Sequence, residues 1–247
     1  MKKFWIFVQC VAVLLVVVVL FMPKVEQGRE EARQMQCLNN MRNVGIVIQN
    51  YAIDHKEEIP ATEAGDPPHS WRVELLPYLE QSTLRQKYDD TEFWNVGGNR
   101  EIAKTQLPVY QCPSAPVPTT TDGYALTAFA TITGTDAMWG KKKSLNLAEA
   151  SKGDGLPHTL FIVEACGQNI AWSEPRDVNL DSMPVGINLP GKVKGRSGGL
   201  LSSYHEGGAN VVFGDGSARY LSESIDPAVL KKLCTATGRE AVSESDY

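Results

Sequence analysis

The residues that suggest chemistry most directly lie near the carboxyl-terminal end, where His205 precedes Asp215 and Gly216. A histidine and an aspartate are common metal ligands and proton-transfer groups. If residues 210–214 are extended, however, the two side chains are about 15 Å apart, at roughly 3.3 Å per residue. We therefore expect Asp215 and Gly216 to form a turn and His205 to cap or pack against a loop, with metal ligation as the alternative.

Alternating side-chain oxygens form a second candidate site. Asp177, Asn179 and Asp181 have the spacing of the first ligands of a calcium loop. Ser182 replaces the glycine that such a loop needs for its sharp turn, and Asn188 stands where the bidentate glutamate belongs. We therefore predict a polar loop here. Calcium is the one cofactor for which the sequence offers a candidate site, and we expect no cofactor.

The cysteines and histidines show no local metal-binding motif. The chain has five cysteines and four histidines. No Cys-x-x-Cys pair occurs and no two histidines are four residues apart, so neither a zinc knuckle nor a thioredoxin-type site is predicted. Ser197, Gly198 and Gly199 lie near His205 and could suggest a hydrolase loop, but no predicted buried strand and tight elbow precede them, and we predict that the protein is not an enzyme. Cys10 lies in an apolar segment, and three pairings are open to the other four cysteines, Cys37, Cys112, Cys166 and Cys234.

Three tryptophans suggest an alternative function, the binding of a glycan or a peptide. Trp94, Trp139 and Trp172 lie in segments predicted to be loops or short helices. On the surface they would form an anchored module that binds a glycan or a peptide. Core packing is the commoner role of scattered tryptophans.

The element that must position these residues is an amino-terminal helix that begins in an apolar segment. Residues 4–22 contain no charged side chain, and about 19 residues at roughly 1.5 Å each match the hydrocarbon thickness of a bilayer. Lys2 and Lys3 precede this segment, which predicts a single-pass anchor in the inner (cytoplasmic) membrane with the N-terminus inside. The domain would then lie in the periplasm or an equivalent space. No small-x-small site follows, which favours an uncleaved anchor over a signal peptide.

After Pro23 the sequence becomes charged and then shows an apolar residue at every third or fourth position. This spacing places the apolar side chains on one face of a helix, and that face must pack against another element. The stripe consists of Met35, Leu38, Met41, Val44, Val47, Ile48 and Tyr51.

Strand patterns dominate the second half of the chain. Residues 159–164 predict a buried strand, and residues 209–221 predict a hairpin with Asp-Gly in its turn. One long helix followed by strands predicts an α+β fold in which the amphipathic helix lies across an antiparallel sheet. The predicted organisation is an anchor at residues 1–22, the amphipathic helix at 23–55 and an extracytoplasmic globular region at 56–247.

Short motifs spread over nearly the whole chain contain Cys37, Asn39, Asn40, Trp71, Cys112, His205, Asp215 and Gly216. Together these motifs resemble the bacterial prepilin-like domain-of-unknown-function 1559 family, of the H-x9-DG type and also labelled a bacterial solute-binding protein family. The resemblance implies a pilin-like fold, with a long transmembrane and amphipathic helix packed on an antiparallel sheet. It also favours a disulfide between Cys37 and Cys112, because both lie in family-like motifs.

The chain lacks the prepilin cleavage motif that members of this family usually carry. No Gly-Phe-Thr-Leu-x-Glu string occurs, and the expected glutamate position falls near Ile6. The resemblance therefore implies an unprocessed, pseudopilin-like envelope protein that contributes to a type II secretion-like assembly. The expected partners are the membrane, through residues 4–22, and homo- or hetero-oligomers of pilin-like proteins. A net charge of −5 without a basic patch disfavours nucleic acid.

Overall fold

The structure, a computed structural model, describes residues 1–116, 118–191 and 198–247, apart from the side chains at positions 8, 10–21 and 23. In this part of the chain the α-helices are α1 (Lys2–Asp54), α2 (Trp71–Glu74), α3 (Ser82–Lys87), α4 (Gly97–Ala103), α5 (Leu147–Lys152) and α6 (Pro227–Cys234). Short 3-10 helices occur at Leu76–Leu79, Pro108–Tyr110, Leu156–His158 and Glu244–Asp246.

The strands are short apart from three that form the centre of the fold. Their bounds are β1 (Glu63–Ala64), β2 (His69–Ser70), β3 (Leu126–Thr127), β4 (Phe129–Ala130), β5 (Ile132–Thr133), β6 (Leu160–Glu164), β7 (Ile170–Ala171), β8 (Val178–Asn179), β9 (Gly208–Phe213) and β10 (Ala218–Ser222).

The main sheet has the strand order β10-β9-β6-β4, and every pair in it is antiparallel. Every residue of β6 and β9 is buried. This sheet, with the long helix packed on it, confirms the predicted α+β class. Three two-stranded pairs surround it, of which β5 with β8 is parallel.

Helix α1 packs mainly on β9, with further contacts to β6 and β10. The stripe predicted from the sequence faces the sheet, since Met41, Val44 and Ile48 are each 0 % exposed. The approach is close, because a Cβ atom added at Gly45 would lie 2.8 Å from Cγ1 of Val212. A glycine is therefore needed where the helix crosses the sheet.

The predicted stripe begins at the wrong residue. Met35 is 58 % exposed, whereas Cys37 is fully buried. Two residues correspond to about 200° around an α-helix, so Met35 lies on the side of α1 that faces away from the sheet. Cys37 is the residue that continues the buried face towards the amino terminus.

Most side chains of the predicted anchor, residues 4–22, lie outside the described residues. In the part of the chain that the structure describes, no helix combines the length and the apolar character that a membrane span requires.

Candidate metal centre

Four buried side chains with metal-binding atoms meet beneath α1. They form the buried cluster, which consists of Cys37, Cys112, Glu164 and His205. Each offers one ligand atom, and all four atoms lie within 4.8 Å of one another. Sγ of Cys112 is 3.6 Å from Nε2 of His205. That nitrogen is 3.7 Å from Oε1 of Glu164, and the same oxygen accepts a 2.9 Å hydrogen bond from the Cys37 thiol.

Each member of the buried cluster comes from a different element. Cys37 lies four residues before Met41 on α1, on the face that contacts the sheet. Cys112 follows the 3-10 helix that begins at Pro108. Glu164 is the last residue of β6, and His205 lies in the loop that leads into β9. The cluster therefore forms only when α1, the loop and the sheet come together.

A further carboxylate orients the imidazole ring of His205. Nδ1 of His205 is 2.7 Å from Oε1 of Glu30, which lies two helical turns before Cys37 on α1. Glu30 also accepts a 2.9 Å hydrogen bond from Ser114 and forms a 2.7 Å ion pair with Arg33. Because Glu30 occupies Nδ1, the Nε2 atom is directed towards Cys112.

Burial and mutual contacts shift the ionisation of the cluster. Contacts with the Cys166 and Cys37 thiols lower the pKa of Cys112 although burial opposes this. The pKa of Cys37 is raised by its contact with Cys112 and by burial. Burial would lower the pKa of His205, but the Cys112 hydrogen bond and the Glu164 charge outweigh it and raise that pKa to about 9. Burial also raises the pKa of Glu164.

A cavity of about 320 Å³ reaches the sulfur-containing side of the cluster. Cys112 and Cys166 lie in its wall together with Asn40, Pro108 and Tyr204. The cavity gives a small molecule or ion a route to the two cysteines. Chemically, the arrangement suits either a metal ion held by sulfur, nitrogen and oxygen or a cysteine thiolate activated by a histidine.

The structure brings together three of the residues singled out in the sequence, Cys37, Cys112 and His205. His205, expected to cap or pack against a loop with metal ligation as the alternative, has a ring that is 1 % exposed and contacts Cys112, Glu30 and Glu164. The estimate of the His205–Asp215 distance along an extended strand could not reveal these contacts, because the partners of His205 are distant in sequence. Cys37 and Cys112 are free thiols, so the predicted disulfide is not formed in the structure.

Asp215 and Gly216 form the turn between β9 and β10, as predicted. Asp215 accepts a 2.8 Å hydrogen bond from the backbone N–H of Ser217, and Gly216 has a φ of 84°. The positive φ explains the glycine. Neither residue belongs to the buried cluster.

Two of the remaining motif residues, Trp71 and Asn40, support the fold. Trp71 is fully buried and donates from Nε1 to Asp177 at 3.1 Å. Asn40 donates from Nδ2 to the carbonyl oxygen of Pro108 at 3.1 Å, which connects α1 to the segment that precedes Cys112. Asn39 is exposed.

Two acidic residues of this region were missed as site residues. Glu164 is the one ionisable side chain in β6, where every residue is buried, and a carboxylate in such a strand requires a partner. Glu30 lies seven residues before Cys37, on the same face of α1. Both signals were present in the sequence, but nothing local connects either residue with Cys112 or His205.

The carboxylate oxygens of residues 177–181, the segment considered for a calcium loop, have protein partners. Asp177 pairs with Arg72 at 2.7 Å and accepts from the backbone N–H of Thr131 at 2.9 Å. Asp181 accepts from the backbone N–H of Thr135 at 2.9 Å. The two carboxylates therefore stabilise neighbouring segments.

The prediction that three tryptophans line a binding groove on the surface is wrong. Trp139 is 1 % exposed and Trp172 is 0 % exposed. Trp139 packs against the rings of Trp71 and Phe161. Trp94 is half-buried, with its ring 5.1 Å from that of Tyr124. Two of the three rings are core residues, which removes the proposed groove.

Comparison with known proteins gives one result. A family model described as "Protein of unknown function (DUF1559)" matches residues 26–178 and 188–228, which confirms the resemblance noted in the sequence. The match includes every member of the buried cluster and Glu30. No curated protein and no solved structure matches the chain.

Proposed function

Because the chain belongs to the DUF1559 family, whose function is unknown, we propose a role from its own structure. In this proposal it is a pilin- or pseudopilin-like structural protein, without enzymatic activity. Residues 4–22 hold it in the inner membrane, and its α+β domain lies in the periplasm or an equivalent space. The observation that carries the proposal is the length of α1 relative to the domain on which it packs.

Helix α1 extends far beyond its contacts with the sheet. It contains 53 residues, which correspond to about 80 Å at roughly 1.5 Å per residue. Among the described residues, its fully or nearly fully buried positions run only from Cys37 to Ala52. Near its other end, Phe4, Trp5 and Phe7 are 66–68 % exposed. Apolar side chains of this size are stabilised when lipid or protein covers them.

A second apolar surface runs along the part of α1 that lies next to the domain, on the side that faces away from the sheet. Met35, Ile46 and Ile53 are 58, 48 and 76 % exposed. Their spacings of eleven and seven residues are close to three and two helical turns, so the side chains lie in one row. In this proposal the row, which we call the outer stripe, contacts a neighbouring pilin-like subunit.

Cysteine labelling of the full-length protein in its own membrane tests the topology. We expect Ser224→Cys, in an exposed segment of the domain, to react with a membrane-impermeant maleimide in intact spheroplasts. Lys2→Cys should react only after lysis, and the unmodified protein provides the background from its native cysteines. Labelling of Lys2→Cys from outside, or recovery of the protein in the soluble fraction, would refute the membrane-anchored topology.

A further inference from the structure

We propose that the buried cluster binds one Zn²⁺ ion and that this ion joins α1 to the loop and sheet of the domain. The site is structural, and it goes beyond the proposed function. The inference rests on the geometry of the ligand atoms, the donor chemistry and the groups that orient the ligands.

The ligand atoms of the buried cluster all lie within 4.8 Å of one another, and two of their separations match those of a tetrahedral site. With zinc–ligand bonds of about 2.0–2.3 Å, neighbouring ligand atoms in a tetrahedron are about 3.3–3.8 Å apart. Nε2 of His205 is 3.6 Å from Sγ of Cys112 and 3.7 Å from Oε1 of Glu164. The Cys37–Glu164 distance is 2.9 Å and must lengthen by about half an ångström when the ion replaces the thiol proton.

The donor types select the class of ion. Two sulfurs, one imidazole nitrogen and one carboxylate oxygen suit Zn²⁺ and other borderline or soft transition metals. Calcium and magnesium prefer sets made of oxygen alone. The exposed fractions of the four residues are between 0 and 4 %, which fits a closed structural site with all positions filled by protein.

The ligands are oriented as in known metal sites. A metal-binding histidine almost always gives its other ring nitrogen to a carboxylate or a carbonyl group, and Nδ1 of His205 has Glu30 as its partner at 2.7 Å. Oε2 of Glu164 accepts from the backbone N–H of Asn210 at 2.7 Å, which leaves Oε1 directed towards the cluster. A simple thiolate–imidazole pair would not require Cys37 and Glu164 to converge on the same point.

An unpaired polar group lies next to the cluster. The side-chain amide of Asn210 is fully buried, and neither its nitrogen nor its oxygen has a hydrogen-bond partner among the described residues. Asn210 lies on the same face of β9 as Val212, the face that α1 covers. A buried amide without a partner is costly. The charged ligands of an occupied site would give this amide a nearby acceptor.

Occupation of the site has a direct structural consequence. Binding requires both sulfurs as thiolates and Nε2 without a proton, so any protons on these atoms are released to solvent. The ion then bonds to α1 through Cys37 and to the rest of the domain through the other three ligands. Helix α1 would thus be attached by metal about two-thirds of the way along its length and by apolar packing from Met41 onwards.

Metal binding by the purified full-length protein tests the proposal. The protein is kept in detergent with a phosphine reductant, stripped with a chelator, and titrated with Zn²⁺ alone and then with Co²⁺ alone. We expect one ion per chain, and a Co²⁺ spectrum with thiolate charge-transfer bands and the intense d–d bands of a tetrahedral site. No stoichiometric uptake, or an octahedral Co²⁺ spectrum without thiolate bands, would overturn the proposal without use of any variant.

Variants then assign the ligands. Cys37→Ser and His205→Gln should each weaken Zn²⁺ binding more than Glu30→Gln, which removes only the orienting carboxylate and should cost about 10–100-fold. Cys234→Ser is the matched control, because Cys234 is equally buried but lies in a separate apolar cluster. Unchanged affinity in Cys37→Ser, or an equal loss in Cys234→Ser, would contradict the assignment.

Two further outcomes would also overturn it. A Cys37–Cys112 disulfide found by non-reducing peptide mapping of protein taken directly from cells would show that the sulfurs have another role. Rapid alkylation of Cys112 that Zn²⁺ does not slow would indicate a reactive thiolate in place of a metal ligand. Protection of both cysteines by Zn²⁺ is the result that the proposal requires.

Discussion

At the scale of single residues, buried charges are the features with the largest consequences for stability. The side chains of Arg72 and Asp177 are 0 and 1 % exposed and lie 2.7 Å apart. Arg72 also donates to the carbonyl oxygen of Phe129 at 2.7 Å, so the pair connects α2 with two strand segments. Burial raises the pKa of Asp177, although Arg72 opposes this.

Asp177→Asn should therefore destabilise the domain strongly. It leaves the Arg72 guanidinium buried without a counter-charge, which costs about 3–5 kcal/mol. The measurement is urea unfolding of the full-length protein in detergent, monitored through the fluorescence of its buried tryptophans. Asp181→Asn, at an exposed carboxylate, is the control and should cost less than about 1 kcal/mol. Equal losses in the two variants would refute the importance of the buried pair.

Glu74 gives a prediction about acid stability. Its hydrogen bond to His69 lowers the pKa of Glu74 below 4.5 although burial opposes this. A carboxylate with a lowered folded-state pKa adds stability above its unfolded pKa and loses it as the pH falls through the folded value. Glu74→Gln should reduce stability at neutral pH and flatten its decline below about pH 4.5, as measured by urea unfolding at several pH values. If the unfolding free energy of the variant falls below about pH 4.5 as steeply as that of the unmodified protein, the lowered pKa of Glu74 is not the cause of the acid dependence.

At the scale of elements, the packing of α1 on the sheet depends on a glycine. Gly45→Ala places a methyl group 2.8 Å from Cγ1 of Val212. Overpacking costs about 1–3 kcal/mol, whereas alanine gains about 1 kcal/mol of helix propensity over glycine. We expect a net loss of stability in thermal unfolding, and Val212→Ala should restore part of it.

Gly28→Ala is the matched control for this prediction. Gly28 lies on the same helix, and a Cβ atom added there has nothing within 4 Å. The change should be neutral or stabilising by up to about 1 kcal/mol. If both alanine variants behave alike, the close approach of α1 to β9 is not the reason for Gly45.

Val44 tests the buried face of the same helix. Val44→Asp places a carboxylate at a position that is 0 % exposed, and we expect a loss of about 3 kcal/mol or more in urea unfolding. Asn43→Asp is the neighbouring control at an exposed position and should change stability little. An unchanged midpoint for Val44→Asp would show that this face of α1 does not lie on the sheet.

Elements with a strong local pattern could be predicted from the sequence. The apolar spacing of α1, the buried strand β6 and the Asp-Gly hairpin of β9 and β10 all follow from periodicity and turn chemistry. Met35 lies on another face because each step of three residues drifts by about 60° around an α-helix, so two such steps place it about 120° from Met41. The buried cluster could not be predicted, because its four ligands are separated by tens of residues and meet only through tertiary packing.

At the scale of the whole molecule, α1 has two different parts. The part from Cys37 onwards, about a third of the helix, packs on the domain, whereas the described aromatic side chains near the amino terminus are exposed. The buried cluster lies at the boundary between these parts, because Glu30 and Cys37 are the first residues of α1, among those whose side chains the structure describes, that have buried partners. Any force transmitted along α1 would therefore reach the domain first at this cluster.

Hydrogen exchange should show this attachment. Under reducing conditions, chelation is expected to increase amide exchange in residues 30–41 of α1, since the proposed ion is removed there. Exchange in α6, which packs in a separate apolar cluster, should not change. A uniform increase over both helices, or no increase in α1, would show that the cluster does not hold the helix locally.

Photo-crosslinking at the outer stripe in intact cells tests the assembly claim most directly. A photoreactive amino acid at Ile46 of the full-length protein, at native expression, should give a ladder of dimers and higher oligomers. The same group at Phe93, which is 55 % exposed but lies in a loop of the domain, should give few or none. Only monomer from the Ile46 position, or equal ladders from both positions, would contradict a pilin-like assembly along α1.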